Sequence, residues 1–460
     1  MGKKKFRLFD AILSVICVVF VAEAAAPSAA IGNSQFFWWI FLIIAFLYPY
    51  GVITSELGTT YDDEGGLYDW TRRAYGNKCG SRVSWYYWLS FPLWMASLAV
   101  MFPTTINLIT GKTLGLIPSL VIELAFIWIV VFLSFTKISD SKWVINIAAF
   151  IKIFLAVTIG ALGIYAAVTR GVANKYTLRS LFPSWDLNSL SYISIILFNF
   201  TGFEVIASFT SAMENPKKQV PQAIIAGGVA IAAIYLFSSF GISVAIPTEK
   251  INTSSGLMDA LQLLTNQTGG FFITAMGTLF LLTLFGNMVS WSYGVNYVSS
   301  YSAKNGGLPK IFSYESKKTG MPIGSAVING VVASALVLIA PLLPNQDLFW
   351  SFFGLNVITL LLAYIPLFPS FLKLRRIDPD RERPYKVSGG PVKLRLMAVL
   401  PVVLLVIAIL FSCVPMNLSA DELSSKLPLT IGTVLALIIG EVICRRKTAG
   451  SVNSSLSSKQ

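Results

Sequence analysis

Apolar runs of about 20 residues recur along nearly the whole of this chain, and nothing else in it restricts the possible folds as sharply. A hydrocarbon core about 30 Å thick is crossed by about 20 residues of helix, and inside it every main-chain N–H and C=O needs a partner within the protein. The runs lie at approximately 9–31, 35–57, 84–110, 115–135, 142–168, 189–213, 221–246, 269–297, 322–341, 346–370, 392–415 and 427–444. This pattern predicts an all-α membrane protein with about twelve transmembrane helices. Charged residues make up 12% of the chain and the mean hydropathy is +0.69. A soluble protein carries about 25% charged residues, so lipid is the expected solvent. The longest polar connection is roughly twenty residues, too short for a separate soluble domain, and residues 1–460 read as one transmembrane domain.

The formal net charge of +13 would suggest nucleic acid in a soluble chain. Here its distribution gives another meaning. With Lys3, Lys4, Lys5 and Arg7 on the cytoplasmic face, about 28 of the 35 basic residues fall on that side, about six fall outside, and Lys152 lies within a span. The segment from Lys373 to Arg395 alone contributes eight. This is the positive-inside bias of a multi-pass protein of the cell inner (cytoplasmic) membrane, with both termini cytoplasmic. The bilayer is the expected partner and nucleic acid is not.

Of the four cysteines, Cys17, Cys413 and Cys444 lie in or at the end of apolar spans and Cys79 stands apart, so packing rather than a disulfide framework is expected. The basic start followed by Ala22-Glu23-Ala24 looks like a signal peptide with its cleavage point. The apolar character resumes through Ile31, however, and Glu23 is ill placed beside such a point, so the segment is read as a span. The chain has no histidine, which removes histidine metal sites and Ser-His or Cys-His catalysis and leaves no His switch near neutral pH. Gly111-Lys112-Thr113 lacks the glycine five positions earlier that a phosphate-cradling loop needs, because Ile106 stands there. No metal, cofactor or enzyme activity is predicted, and transport would be driven by gradients or exchange.

Two spans look interrupted. The first carries Ala22-Glu23-Ala24-Ala25-Ala26-Pro27-Ser28 at its middle, and the sixth carries Phe198-Asn199-Phe200-Thr201-Gly202-Phe203-Glu204. Proline and glycine weaken a helix, and non-helical backbone at mid-depth survives only where it is buried in protein or lines a cavity. The interruptions lie about 180 residues apart, each heading a group of five spans, which is the pattern of inverted repeats with a substrate site at the midplane. The repeats would cover 9–168 and 189–370, with two accessory helices in 392–444.

A charge at the centre of a span costs about 2.5–3.5 kcal/mol on insertion scales and usually serves a function. Glu23 lies thirteen residues beyond Asp10, roughly 20 Å along a helix axis. Glu204 and Lys152 fall at similar depth on spans six and five, which suggests a charge pair or a coupled proton site. An ion pair that merely fixes helix packing is the lesser alternative for each of these three, and gains weight for Glu56 and Glu123 near span ends.

At this point the chain resembles the amino acid–polyamine–organocation superfamily. The stretch Glu56-Leu57 … Asp63-Glu64-Gly65-Gly66-Leu67-Tyr68-Asp69-Trp70 is similar to its signature after the second helix. Phe200-Thr201-Gly202-Phe203-Glu204, with Glu214-Asn215-Pro216-Lys217-Lys218 and Pro221 behind it, resembles its broken sixth helix. Ser300 to Pro309 resembles the motif after its eighth. The likeness runs over essentially the whole chain, and is greatest to the glutamate/γ-aminobutyrate antiporters and the bacterial agmatine/putrescine exchangers.

The resemblance implies a LeuT-like five-plus-five inverted repeat with broken helices one and six, working by alternating access. It implies a substrate held by Ala22, Glu23, Ala24, Phe198, Asn199, Phe200, Thr201 and Gly202, flanked by Tyr87, Met95 and Trp291. Glu204 would couple substrate to gating and Trp291 would act as an aromatic gate. Lys152 would stand where sodium sits in sodium-coupled members, which disfavours sodium dependence.

One departure points to the substrate. Amino-acid carriers of this superfamily often have Gly-Ser-Gly where this chain has Ala22-Glu23-Ala24. An ionised Glu23 repels a carboxylate and attracts an ammonium or guanidinium, and with Glu204 and the aromatic faces it suits a dication. Exchange of small cationic amines, agmatine- or putrescine-like, is therefore expected. An amino acid antiporter or proton-coupled amino acid permease is the alternative, because glutamate-exchanging relatives also have a carboxylate near this point. Oligomeric state is left open, a homodimer included.

Overall fold

The computed structural model describes residues 7–61, 63, 65–136, 138–183, 193–205, 213–342, 348–415 and 418–457. Among the described residues, ten unbroken helices are long and apolar enough to cross a membrane: Gln35–Thr60, Asn77–Thr110, Leu116–Leu133, Trp143–Thr169, Pro216–Ala245, Phe271–Lys304, Ile323–Leu342, Ser351–Ile377, Pro391–Cys413 and Glu422–Cys444. The first span is a bent pair, Leu8–Val19 with Ala22–Ala29, turned by 47°. The sixth is represented by the short apolar stretch Ile193–Val205; residues 189–192 and 206–212 of the expected span 189–213 lie outside the described residues. Spans one to twelve are numbered accordingly.

Helix ends differ from the apolar windows where polar residues prolong the helix. The third span starts at Asn77, seven residues before its apolar run, behind Gly76 at φ +85°. The second contains a wide turn at Ile43–Leu47. Pro49 explains it: the proline has no N–H and its ring crowds the carbonyl four residues back, which a locally widened helix relieves.

Span one sits at the centre, packed against spans five, seven and eight, and the third span packs along the tenth. Spans five and seven cross where Gly241 has its Cα against the main chain of Ile159 and Gly163, so a methyl group at Gly241 would strike the Ile159 carbonyl. Small residues let membrane helices approach this closely.

A buried carboxylate fastens one end of the bundle. Glu56, on span two, accepts a two-pronged pair of hydrogen bonds from Arg375 at the end of span ten, with Nε–Oε1 at 2.7 Å. It also accepts the Val387 N–H at 2.7 Å and faces the Arg383 Nε at 3.3 Å. Beside it, Arg381 lies 4.6 Å over the Tyr61 ring and donates to the Thr60 carbonyl. Residues 378–387 are thereby strapped to span two. Removing one partner of a buried ion pair strands the other charge at a cost of about 3–5 kcal/mol. We predict that Glu56→Ala lowers the thermal unfolding midpoint in detergent by several degrees; an unchanged midpoint would show that the clamp adds no stability.

Candidate substrate site

The first helix stops because Phe20 (ψ 115°) and Val21 (φ −113°, ψ 112°) are extended. Pro27, the expected cause, instead lies inside the short helix Ala25–Ala29. Stopping there frees the last four carbonyls of a helix, here those of Cys17, Val18, Val19 and Phe20. Each is met by a side chain from a neighbouring span. Lys152 Nζ donates to the Cys17 and Phe20 carbonyls, both at 2.5 Å. Trp291 Nε1 donates to Val18 at 2.7 Å, and the Tyr235 hydroxyl donates to Val19 at 3.3 Å while accepting the Val21 N–H at 2.9 Å. An ammonium at a helix C-terminus also suits the helix dipole.

Glu23 follows on the turn Ala22–Ala24 and is 1% exposed. Asn287 connects it to Lys152: the Asn287 Oδ1 accepts from Lys152 Nζ at 2.9 Å, and its Nδ2 donates to Glu23 Oε1 at 3.3 Å. A lysine ammonium only donates, so it turns the amide oxygen toward itself and presents the NH2 to Glu23. Glu23 Oε2 has no donor. The Trp94 indole N–H lies beside this carboxylate without closing a hydrogen bond to it.

The sixth span unwinds after Asn199. Gly202 stands at φ +111°, where a Cβ would be 2.8 Å from the Trp291 ring and 3.2 Å from Val18. Its N–H donates to the hydroxyls of Tyr364 (3.0 Å) and Tyr50 (3.2 Å). Two residues on, Glu204 accepts from Tyr87 at 2.9 Å and from Tyr50 through a short hydrogen bond, with Tyr364 beside them. Gly202→Ala forces a left-handed conformation on a side chain with no room, about 1–3 kcal/mol of strain. We predict a loss of transport of about tenfold or more on that ground, read by uptake into liposomes; wild-type uptake would show the bend to be dispensable.

The two breaks meet. Asn199 Nδ2 donates to the Ser28 hydroxyl at 2.9 Å, and that hydroxyl donates to the Ala24 carbonyl at 2.7 Å. Asn199 Oδ1, like Glu23 Oε2, is a buried acceptor with no donor. Aromatic rings close the space around them: Trp94 is edge-on to Phe198 at 5.5 Å and to Trp291 at 5.2 Å, and Tyr87 lies 6.3 Å from Trp291. Phe198 in turn meets Phe353 edge-on at 5.0 Å, and Phe353 lines a cavity of about 260 Å³ with Pro27, Ala30, Ser194, Ile195 and Lys426. Phe200 packs on Trp39, and the Thr201 hydroxyl bonds back to the Phe198 carbonyl.

Lys152 and Glu204 do not pair. The ammonium is consumed by the loose end of span one, whereas the carboxylate is enclosed by tyrosine hydroxyls from spans two and three. Of the flanking residues expected on span three, Tyr87 commits its hydroxyl to Glu204. Met95 is buried, but about 100° around the helix from Trp94, the residue that touches Glu23, Phe198 and Trp291. Trp94, Tyr50, Tyr235, Asn287 and Tyr364 were not singled out from sequence. Their signal is a polar tip inside an apolar run, repeated too often in this chain to pick out five.

The family profile described as amino acid permease matches residues 6–439. A probable agmatine/putrescine antiporter of Lactococcus lactis is 57% identical over 457 residues, covering 99% of this chain and 98% of that protein. The glutamate/gamma-aminobutyrate antiporter of the same species is 22% identical over 90% of this chain and 85% of its own length. The polyamine transporter RMV1 of Arabidopsis thaliana is 23% identical over 91% and 80%. Among solved structures, a manganese transporter of Eremococcus coleocola superposes with a TM-score of 0.56 at 14% identity, over 96% of this chain and 95% of that one, a likeness of fold.

Proposed function

The chain belongs to the amino acid permease family, and from that premise we propose that it exchanges small cationic amines of the agmatine and putrescine kind across the cytoplasmic membrane by alternating access. The observation that carries this reading is the bare Oε2 of Glu23, a buried acceptor beside a second bare acceptor, Asn199 Oδ1, under the rings of Trp94, Trp291 and Phe198. An ammonium or guanidinium supplies the donors both lack, and its charge suits aromatic faces. A zwitterion would bring its carboxylate toward Glu23. The 57% identity to a probable agmatine/putrescine antiporter supports the same substrate class.

Residues 9–168 and 189–370 act as the two five-helix repeats and 392–444 as accessory helices, with both termini cytoplasmic. Lys152 supplies the fixed positive charge beside the first break, so sodium is not required. One dication replacing another leaves the charge of the site unchanged, which favours exchange over net uptake. Every side chain invoked comes from one chain, so a homodimer would unite two complete units. Counterflow into liposomes tests the reading: labelled putrescine should enter only when agmatine or putrescine is trapped inside. Flux with amino acids and none with amines would overturn it.

A further inference from the structure

Where span ten ends and span eleven begins, a cleft of about 350 Å³ is lined by Leu372, Arg375, Arg376, Pro391, Leu394 and Arg395. Arg375 is committed to Glu56 and the Val387 carbonyl. Arg376 and Arg395 form no hydrogen bond or ion pair among the described residues, and Lys393 lies against Gly389 at the rim. The cleft's own wall is partly apolar, through Leu372, Pro391 and Leu394, and the chain neighbours of its lining residues are exposed: Val392 80%, Leu396 62% and Ile377 52%. Two unpaired guanidinium groups beside greasy, outward-facing side chains form a surface with a charged half and an oily half.

We propose that this cleft binds the headgroup phosphate of an anionic phospholipid, with Arg376 and Arg395 as its ligands. Guanidinium groups take phosphate oxygens in pairs, and basic pockets between membrane helices are suited to anionic headgroups. Arginine stems cover apolar surface while their charge reaches the interface, which suits a cleft that also holds Leu372, Pro391 and Leu394. Free phosphate shares the recognising chemistry, but it has no acyl chains to cover Val392, Leu396 and Ile377, and those exposed residues favour a lipid. The proposal is independent of which substrate is carried.

Native mass spectrometry of the full chain from nanodiscs of mixed phosphatidylcholine and phosphatidylglycerol tests it. The wild-type protein should retain phosphatidylglycerol in preference. Arg376→Gln with Arg395→Gln should cut that retention about 25-fold, at about a factor of five for each lost charge. Lys317→Gln with Lys318→Gln, in the exposed turn before span nine, should leave it unchanged. Both arginines are exposed, so the variant should fold, which its melting midpoint verifies. Equal retention of both lipids, or of phosphatidylglycerol by wild type and the arginine variant, would overturn the proposal. So would arginine-dependent binding of inorganic phosphate with no preference for the anionic lipid, because the ligand would then be the free ion.

Discussion

Glu23→Gln is expected to weaken putrescine and agmatine binding by about 30-fold to several thousand-fold, since losing one partner of a buried, hydrogen-bonded charge pair costs about 2–5 kcal/mol. The substitution keeps the shape of the side chain and an oxygen to accept from Asn287. It removes the charge, and places an NH2 where the substrate's own N–H groups should arrive. The measurement is isothermal titration of the purified protein, with the melting midpoint as a control for folding. A Kd within twofold of wild type would remove Glu23 from recognition, even if exchange were slowed for another reason. Glu23→Asp, which retracts the charge by one methylene, should fall between.

Lys152→Met is expected to abolish exchange. It leaves the Cys17 and Phe20 carbonyls and the Asn287 oxygen without their donor, and a buried acceptor stranded in this way costs about 1–3 kcal/mol. Three of them are enough to undo the packing of span one in a protein of ordinary stability. A second readout separates recognition from scaffolding. Without the ammonium to orient it, the Asn287 amide can turn its oxygen toward Glu23, so amine affinity should fall in whatever fraction remains folded. Exchange at the wild-type rate would show that the carbonyls find other donors and that the lysine is dispensable.

The number and order of spans were legible in the sequence because bilayer thickness leaves helix length little freedom. Both interruptions were legible too, since Glu23 and Gly202 are costly residues to bury in a continuous helix. The position of the first break was not. Pro27 is the obvious breaker, yet the chain departs from the helix at Phe20 and Val21, two apolar residues with no local reason to do so. The reason is tertiary: donors on Lys152, Trp291 and Tyr235, from three other spans, make it tolerable for four carbonyls to leave the ladder. The Lys152–Glu204 pairing failed similarly, because equal depth says nothing of facing direction. Glu204 is surrounded by Tyr50, Tyr87 and Tyr364, whose hydroxyls converge only once spans two, three and ten have packed.

The tethering of the first break bears on how such a carrier moves. A joint whose four loose ends are tied to spans five, seven and eight is not a free hinge. If the inner half of span one tilts alone, it drags buried polar groups off their partners. Either those three neighbours travel with it as one block, or an incoming cation must offset the rupture, and a vacant carrier would then stay locked.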